Sequence, residues 1–221
     1  MRVLVATEKP FAANAVKAIK EEIEKAGHEL VLLEKYTELA QLLDAVKDVE
    51  AMIVRSDKIT PEIMDAAPKL KIIVRAGAGY DSIDTAYAKE KGIIVENTPG
   101  QNANAVAELV LGLLVYAVRA FYNGKSGSEL IGKKLGLLAF GNVGRNVARI
   151  AKGFGMDVYA YDAFCPANVI EEAGVHAVAS QEALFEQCNI VSLHIPATPE
   201  TKQSINYALV NRLPKGGILV N

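Results

Sequence analysis

Lys134-Leu-Gly-Leu-Leu-Ala-Phe-Gly-Asn-Val-Gly-Arg-Asn-Val-Ala148 is followed ten residues on by Val158-Tyr-Ala-Tyr-Asp162. The stretch reads strand, glycine turn, helix, strand and acidic end. Leu135, Leu137, Leu138 and Phe140 form the apolar run of a buried parallel strand. Val143, Val147, Ile150, Ala151 and Phe154 then recur at helical spacing, and Val158, Tyr159 and Tyr161 make a second strand. This is the sequence form of a dinucleotide-binding βαβ unit. Of the two glycines nearest the helix, Gly141 and Gly144, one lets the backbone approach a pyrophosphate and the other lets helix and strand pack closely. The helix N-terminus offers that pyrophosphate free N–H groups and a positive dipole end. Asp162 lies 18 residues past Gly144, near the ~20 expected of a carboxylate that accepts ribose hydroxyls. Ala139 stands where the first glycine of the pattern belongs. The competing reading is an ordinary βαβ unit whose glycines only ease packing. Ala163 and Phe164 follow Asp162 with no nearby arginine to meet a 2′-phosphate, so NAD is expected over NADP.

Bulk properties narrow the class. A length of 221 residues suits one large or two small domains, and 51% hydrophobic residues supply a sizeable core. A net charge of −2 does not suggest a nucleic-acid partner. Cys165 and Cys188 are too few for a disulfide framework, which points to a reducing, cytoplasmic compartment. The N-terminal apolar run is too short for a signal peptide. Ala103–Tyr122 is apolar enough to imitate a membrane span, but Asn104, Glu108 and Arg119 favour a buried core helix, with Asn104 as its cap. No metal-ligand spacing, P-loop or G-x-S-x-G elbow occurs: Gly124-Lys125-Ser126 follows a helix, and Arg119 replaces the first P-loop glycine.

Strand and helix patterns alternate throughout, which predicts parallel sheets covered on both faces. Strands are expected at Arg2–Thr7, Leu30–Leu33, Ala51–Arg55, Lys71–Arg75, Gly92–Val95, Ala177–Ala179, Ile190–His194 and Gly217–Val220, besides the two already quoted. Helices are expected at Ala12–Ala26 (Val16, Ile19 and Ile23 inward), Tyr36–Val46, Pro61–Ala67, Ile83–Lys89, Ala103–Tyr122, Gln181–Gln187 and Tyr207–Arg212. Asn123–Ser128 reads as a linker. Two α/β units result, 1–103 and 104–221. Arg55 and Arg75 end strands, where α/β sheets bind ligands. The glycines of Ala76-Gly77-Ala78-Gly79 are expected to offer N–H groups to a carboxylate. The alternatives are surface ion pairs for the arginines and a plain tight turn for the loop.

Val54-Arg55-Ser56, Val74-Arg75-Ala76-Gly77-Ala78-Gly79-Tyr80-Asp81, Asn97-Thr98-Pro99, Glu108-Leu109, Leu138-Ala139-Phe140-Gly141-Asn142-Val143-Gly144-Arg145 and His194-Ile195-Pro196 occur in succession. At this spacing the chain resembles the D-isomer-specific 2-hydroxyacid dehydrogenase family along essentially its whole length, with the branch that oxidises 3-phosphoglycerate the best fit. The resemblance implies two doubly wound parallel-sheet units: a flavodoxin-like substrate domain at 1–103 and a Rossmann NAD-binding domain at 104–221. It implies that Arg55 and Arg75 face a substrate phosphate, with Ser56 and the 76–79 loop in the same site. It implies Asn142 and Val143 at the pyrophosphate, and His194, Pro196 and Thr201 beside the cofactor cleft, with Asn102 among the cofactor-binding residues. A buried histidine bonded to a backbone carbonyl is the alternative for His194.

The family's catalytic arginine, carboxylate and histidine normally follow the strand represented by Gly217–Asn221, so no catalytic residue is assigned within 1–221. His28, His176 and Arg212 lie outside the matching motifs. The expectation is a fragment of an enzyme of ~300 residues or more, inactive by itself, incomplete at its C-terminus and with Ile218–Val220 as an open edge. The implied activity is NAD-dependent oxidation of 3-phosphoglycerate to 3-phosphohydroxypyruvate, opening serine synthesis, by a homodimer when full length. The alternatives are another 2-hydroxyacid or glyoxylate/hydroxypyruvate reductase and a non-catalytic NAD-sensing corepressor. The missing Trp, the short 123–130 segment and Gly100-Gln101-Asn102 set the chain apart within the family.

Overall fold

β-branched and leucine-rich runs of four to six residues build the first sheet, and every strand in it pairs in parallel. The computed structural model describes residues 1–221 as two compact units, Met1–Gln101 and Asn102–Asn221. The first unit runs β1 (Arg2–Thr7), α1 (Ala13–Lys25), β2 (Glu29–Glu34), α2 (Leu39–Ala45), β3 (Ala51–Val54), α3 (Pro61–Asp65), β4 (Ile72–Arg75), α4 (Thr85–Glu90) and β5 (Ile94–Asn97). Its sheet order is β2-β1-β3-β4-β5, the flavodoxin-like order. Leu4, Leu42, Met52, Ile63, Met64 and Ile73 anchor its core. Register carries Val54 opposite Arg75 and Arg75 opposite Asn97, which aligns these strand ends along the carboxyl edge of the sheet.

The second unit runs α5 (Ala103–Val118), β6 (Lys134–Leu138), α6 (Asn142–Gly153), β7 (Asp157–Tyr161), α7 (Ala167–Glu172), β8 (His176–Ala177), α8 (Gln181–Gln187), β9 (Ile190–Leu193), α9 (Tyr207–Val210) and β10 (Ile218–Val220). Its parallel sheet is ordered β10-β9-β6-β7-β8, the Rossmann arrangement. Ala107, Val110, Leu111 and Leu114 of α5 share a core with Val147, Ala148 and Ala151 of α6. A Cβ on Gly144 would collide with the Ala139 carbonyl, so this glycine permits the close approach of α6 to β6. No helix is long and apolar enough to cross a membrane.

Several boundaries differ from expectation for identifiable reasons. Tyr36 lies outside α2 because its hydroxyl turns inward to bond Asp57, and α2 starts instead at a Glu38/Gln41 capping box. Gly92 takes φ +72° in the turn after α4, which delays β5 to Ile94. Asn104 does not cap α5. Its amide donates to Glu108 (2.6 Å) and its oxygen accepts from Arg149 of α6 (2.6 Å). Val16, Ile19 and Ile23 are only half-buried, and α1 has no fully buried residue. α7 was absent from the sequence pattern. α5 ends at Val118, after which Ala120, Phe121 and Tyr122 have φ of 54, 56 and 55° and residues 121–129 are exposed. Leu109, Leu113 and Tyr116 form a stripe along α5 that is 63, 46 and 50% exposed.

Candidate functional site

In the second unit the chain leaves β6 toward β7 and β8 and returns on the other side as β9, so the sheet's switch point lies between β6 and β9. Ligands of open α/β sheets bind at the carboxyl ends of such strands. The Ala139–Gly141 turn and His194–Pro196 occupy those ends, joined by a bond from His194 N to Leu138 O (2.9 Å). Gly141 precedes α6 at the N-cap position with no side-chain cap, which leaves the first-turn amides of Asn142, Val143 and Gly144 without a helical partner. A Cβ on Gly141 would meet nothing within 4 Å. The protein's own packing therefore does not demand this glycine, and open space lies in front of the helix. Ala139 has φ +83°, the left-handed conformation that glycine adopts without steric cost.

Asp162, just past β7, is brought directly against this turn. Its Oδ2 accepts from Phe140 N (2.7 Å), and its Oδ1 accepts from Phe164 N (2.8 Å) and Cys165 N (2.9 Å). Burial would raise its carboxyl pKa, but those three amides and the charge of Arg145 hold it below the usual carboxylate value. Three bonds leave lone-pair capacity on the carboxylate for a hydroxyl donor.

His194 follows β9 with its Nε2 buried and unpartnered, so the carbonyl-bonded alternative is not observed at that atom. Burial lowers its pKa to about 4, which keeps the ring neutral at physiological pH. Thr201 folds the next loop back on itself: its hydroxyl donates to Pro196 O (2.5 Å) and accepts from Thr198 N (2.8 Å). The loop borders a cleft of about 870 Å³ with Leu193, Ile195 and Leu219. Asn102 stands at the start of α5 without a side-chain cap bond, and no hydrogen bond ties it to the glycine turn.

In the first unit, neither Arg55 nor Arg75 makes an ion pair, contrary to the alternative drawn from sequence. Arg55 is exposed, lies over the Phe11 ring at 5.9 Å and donates to Pro10 O (3.3 Å). The Arg75 guanidinium folds over Gly77 into the space that a Cβ there would take, and its Nε is buried without a partner. The 76–79 loop exposes fewer amides than expected. Ala76 N donates to Val54 O (2.8 Å) and Gly77 N to Arg75 O (2.8 Å), whereas Ala78 N and Gly79 N have no protein acceptor. β5 fixes the loop from the far side: Asn97 Nδ2 donates to Ala78 O (2.7 Å) and Thr98 N to Gly77 O (3.0 Å). Ser56 is exposed beside Arg55.

One buried residue at this edge escaped sequence reading. Asp57 is 4% exposed and accepts from Glu8 N (2.8 Å), Tyr36 hydroxyl (2.7 Å) and Arg55 N (3.3 Å). It ties the ends of β1 and β3 together, and burial with the Asp57 bond raises the Tyr36 pKa. Its only local signal is an acid two residues past Arg55.

A family model described as D-isomer specific 2-hydroxyacid dehydrogenase, catalytic domain, matches residues 3–211. A hydroxypyruvate reductase of Thermotoga maritima is 40% identical over 207 residues, covering 87% of this chain and 66% of the relative. A D-3-phosphoglycerate dehydrogenase of Methanocaldococcus jannaschii is 37% identical over 195 residues, covering 82% and 37%. Among solved structures, the NAD+-bound 3-phosphoglycerate dehydrogenase of Entamoeba histolytica is similar with a TM-score of 0.92 and 47% identity, covering 99% of this chain and 70% of that one. The chain thus spans about two thirds or less of the length of these two sequence relatives.

Proposed function

Because the chain belongs to the D-isomer-specific 2-hydroxyacid dehydrogenase family, we propose that it forms the binding framework of an NAD-dependent oxidoreductase acting on a phosphorylated 2-hydroxy acid. The β6–α6 turn carries this reading. Three free first-turn amides, the open space before Gly141 and the Asp162 carboxylate beside Phe140 fit a dinucleotide. Asn142, Val143 and Gly144 would hold the diphosphate and Asp162 the adjacent ribose hydroxyls. His194, Pro196 and Thr201 would border the cofactor on the β9 side. When bound, NAD supplies the acceptor for a hydride.

Arg55 and Arg75 carry unpaired guanidinium groups at the carboxyl edge of the first sheet. Their planar forks match phosphate oxygens and stay charged at every relevant pH. The free amides of Ala78 and Gly79 suit a substrate carboxylate. The reaction proposed is oxidation of 3-phosphoglycerate to 3-phosphohydroxypyruvate, the opening step of serine synthesis, in the cytoplasm and by a homodimer that meets through α5. Residues 1–221 receive binding roles here, and none is assigned the proton transfer. A second reading, reduction of hydroxypyruvate or glyoxylate, is favoured by the identity to the Thermotoga reductase.

Titration with NADH tests the cofactor half. Gly141→Ala fits the backbone and empty space around it, so thermal unfolding should be unchanged while NADH affinity drops about tenfold or more. A chain that shows no saturable NADH binding would remove the proposal. Titration with 3-phosphoglycerate and with glycerate tests the other half. Preference for the phosphorylated acid, lost in Arg55→Ala and Arg75→Ala, supports the phosphate reading, and equal affinity for both acids supports the second.

A further inference from the structure

Residues 162–164 in isolation present a carboxylate and no basic group to the ribose end of a dinucleotide. The fold delivers one from α6. Arg145 is the fourth residue of that helix. Its guanidinium lies 4.8 Å from the centroid of the Phe140 ring, and its Nη2 is 3.5 Å from Cys165 Sγ. Phe140 and Cys165 each contribute a backbone amide to Asp162. Arg145 therefore flanks the same loop as the carboxylate, is exposed, and has no carboxylate partner of its own. The guanidinium packs near the aromatic ring and bonds only the Cys165 sulfur, which leaves its remaining N–H groups free.

Resting on the dinucleotide reading above, we propose that Arg145 is a specificity-determining residue: it faces the ribose 2′ position opposite Asp162 and accepts a 2′-phosphate, so the preference for NAD over NADP is shallow. Two opposing charges act on that phosphate. Asp162 repels it, but its oxygens already take three backbone N–H bonds, which draw off part of their negative potential. Arg145 attracts it and can meet its oxygens with charge-assisted bonds. The neutral ribose hydroxyl of NAD calls only on Asp162. Removing Arg145 thus affects the two cofactors unequally.

The experiment is parallel fluorescence titration of NADH and NADPH into the chain, the Arg145→Gln variant and the Arg145→Lys variant. Thermal unfolding of each checks the fold. The wild-type chain is expected to bind NADPH within about a hundredfold of NADH. Arg145→Gln should weaken NADPH about tenfold or more and NADH less than about threefold, with Arg145→Lys recovering part of the loss. Added salt should weaken NADPH more than NADH in the wild type, and the difference should shrink in Arg145→Gln. An unchanged NADPH-to-NADH ratio in a folded Arg145→Gln overturns the assignment, as does saturable NADH binding with no measurable NADPH binding in the wild type. If neither cofactor saturates, the dinucleotide reading and this inference fall together.

Discussion

Ala139 holds a backbone angle that an alanine side chain resists. A left-handed residue with a Cβ costs about 1–2 kcal/mol, and a glycine loses about 0.4–1 kcal/mol more chain entropy on folding. Ala139→Gly is therefore expected to stabilise the second unit by about 0.5–1 kcal/mol, read as a higher urea midpoint at unchanged slope. His194 gives a pH signature. Its folded pKa of about 4 lies below the ordinary histidine value of 6.5, so the unfolded chain binds the proton first as pH falls. The penalty is absent above pH 6.5, grows on going down to about pH 4, and amounts to about 3 kcal/mol at full extent. His194→Gln should flatten the stability curve between pH 6.5 and 4.5, a window above the range in which most carboxylates titrate. A curve of unchanged slope would show that His194 is not buried in its neutral form.

At the scale of elements, the β6–α6–β7 unit was readable because its signals are local. The apolar run, the glycine spacing, the helical period and the acidic end all fall within residues 134–162. The first-unit loop was only half readable. Arg75 and its glycines stand in one short stretch, but the bond that holds Ala78 comes from Asn97, 19 residues away on the next strand. Asp57 was hidden for the same reason: its partners at Glu8 and Tyr36 are 49 and 21 residues distant. α7 was missed because Pro166 stands at its N-cap without a side-chain bond, so no polar start signal precedes it. The Asn97 bond also has a functional consequence. Asn97→Ala frees the Ala78 carbonyl and loosens the loop, which should raise the dissociation constant for 3-phosphoglycerate about threefold to tenfold and leave NADH affinity unchanged. Equal losses for both ligands would point to general unfolding.

For the whole molecule, two α/β units were legible from alternation, but the inner and outer faces of their helices were not. α5 looked like a helix buried on most sides, and the structure instead leaves Leu109, Leu113 and Tyr116 open along one stripe. Spacing of four and three residues puts them on one helical face, and an exposed apolar face of that kind marks an interaction surface. The homodimer proposed above would cover it. Leu113→Glu should then shift sedimentation from dimer to monomer with little change in the thermal midpoint of the monomer, because Leu113 is 46% exposed and lies outside the core that α5 shares with α6. Monomeric wild-type chain at micromolar concentration would dismiss this face as the dimer contact.

The left-handed turn at Ala120–Tyr122 opens onto a fully solvated tether that contains Lys125. Trypsin can reach that lysine without first melting a helix or strand. Cleavage there severs α5 from β6 in the chain but not in space, since Val110, Leu111 and Leu114 stay wedged against Val147 and Ala151. The nicked protein should travel as one particle on a sizing column and separate into two bands only in detergent.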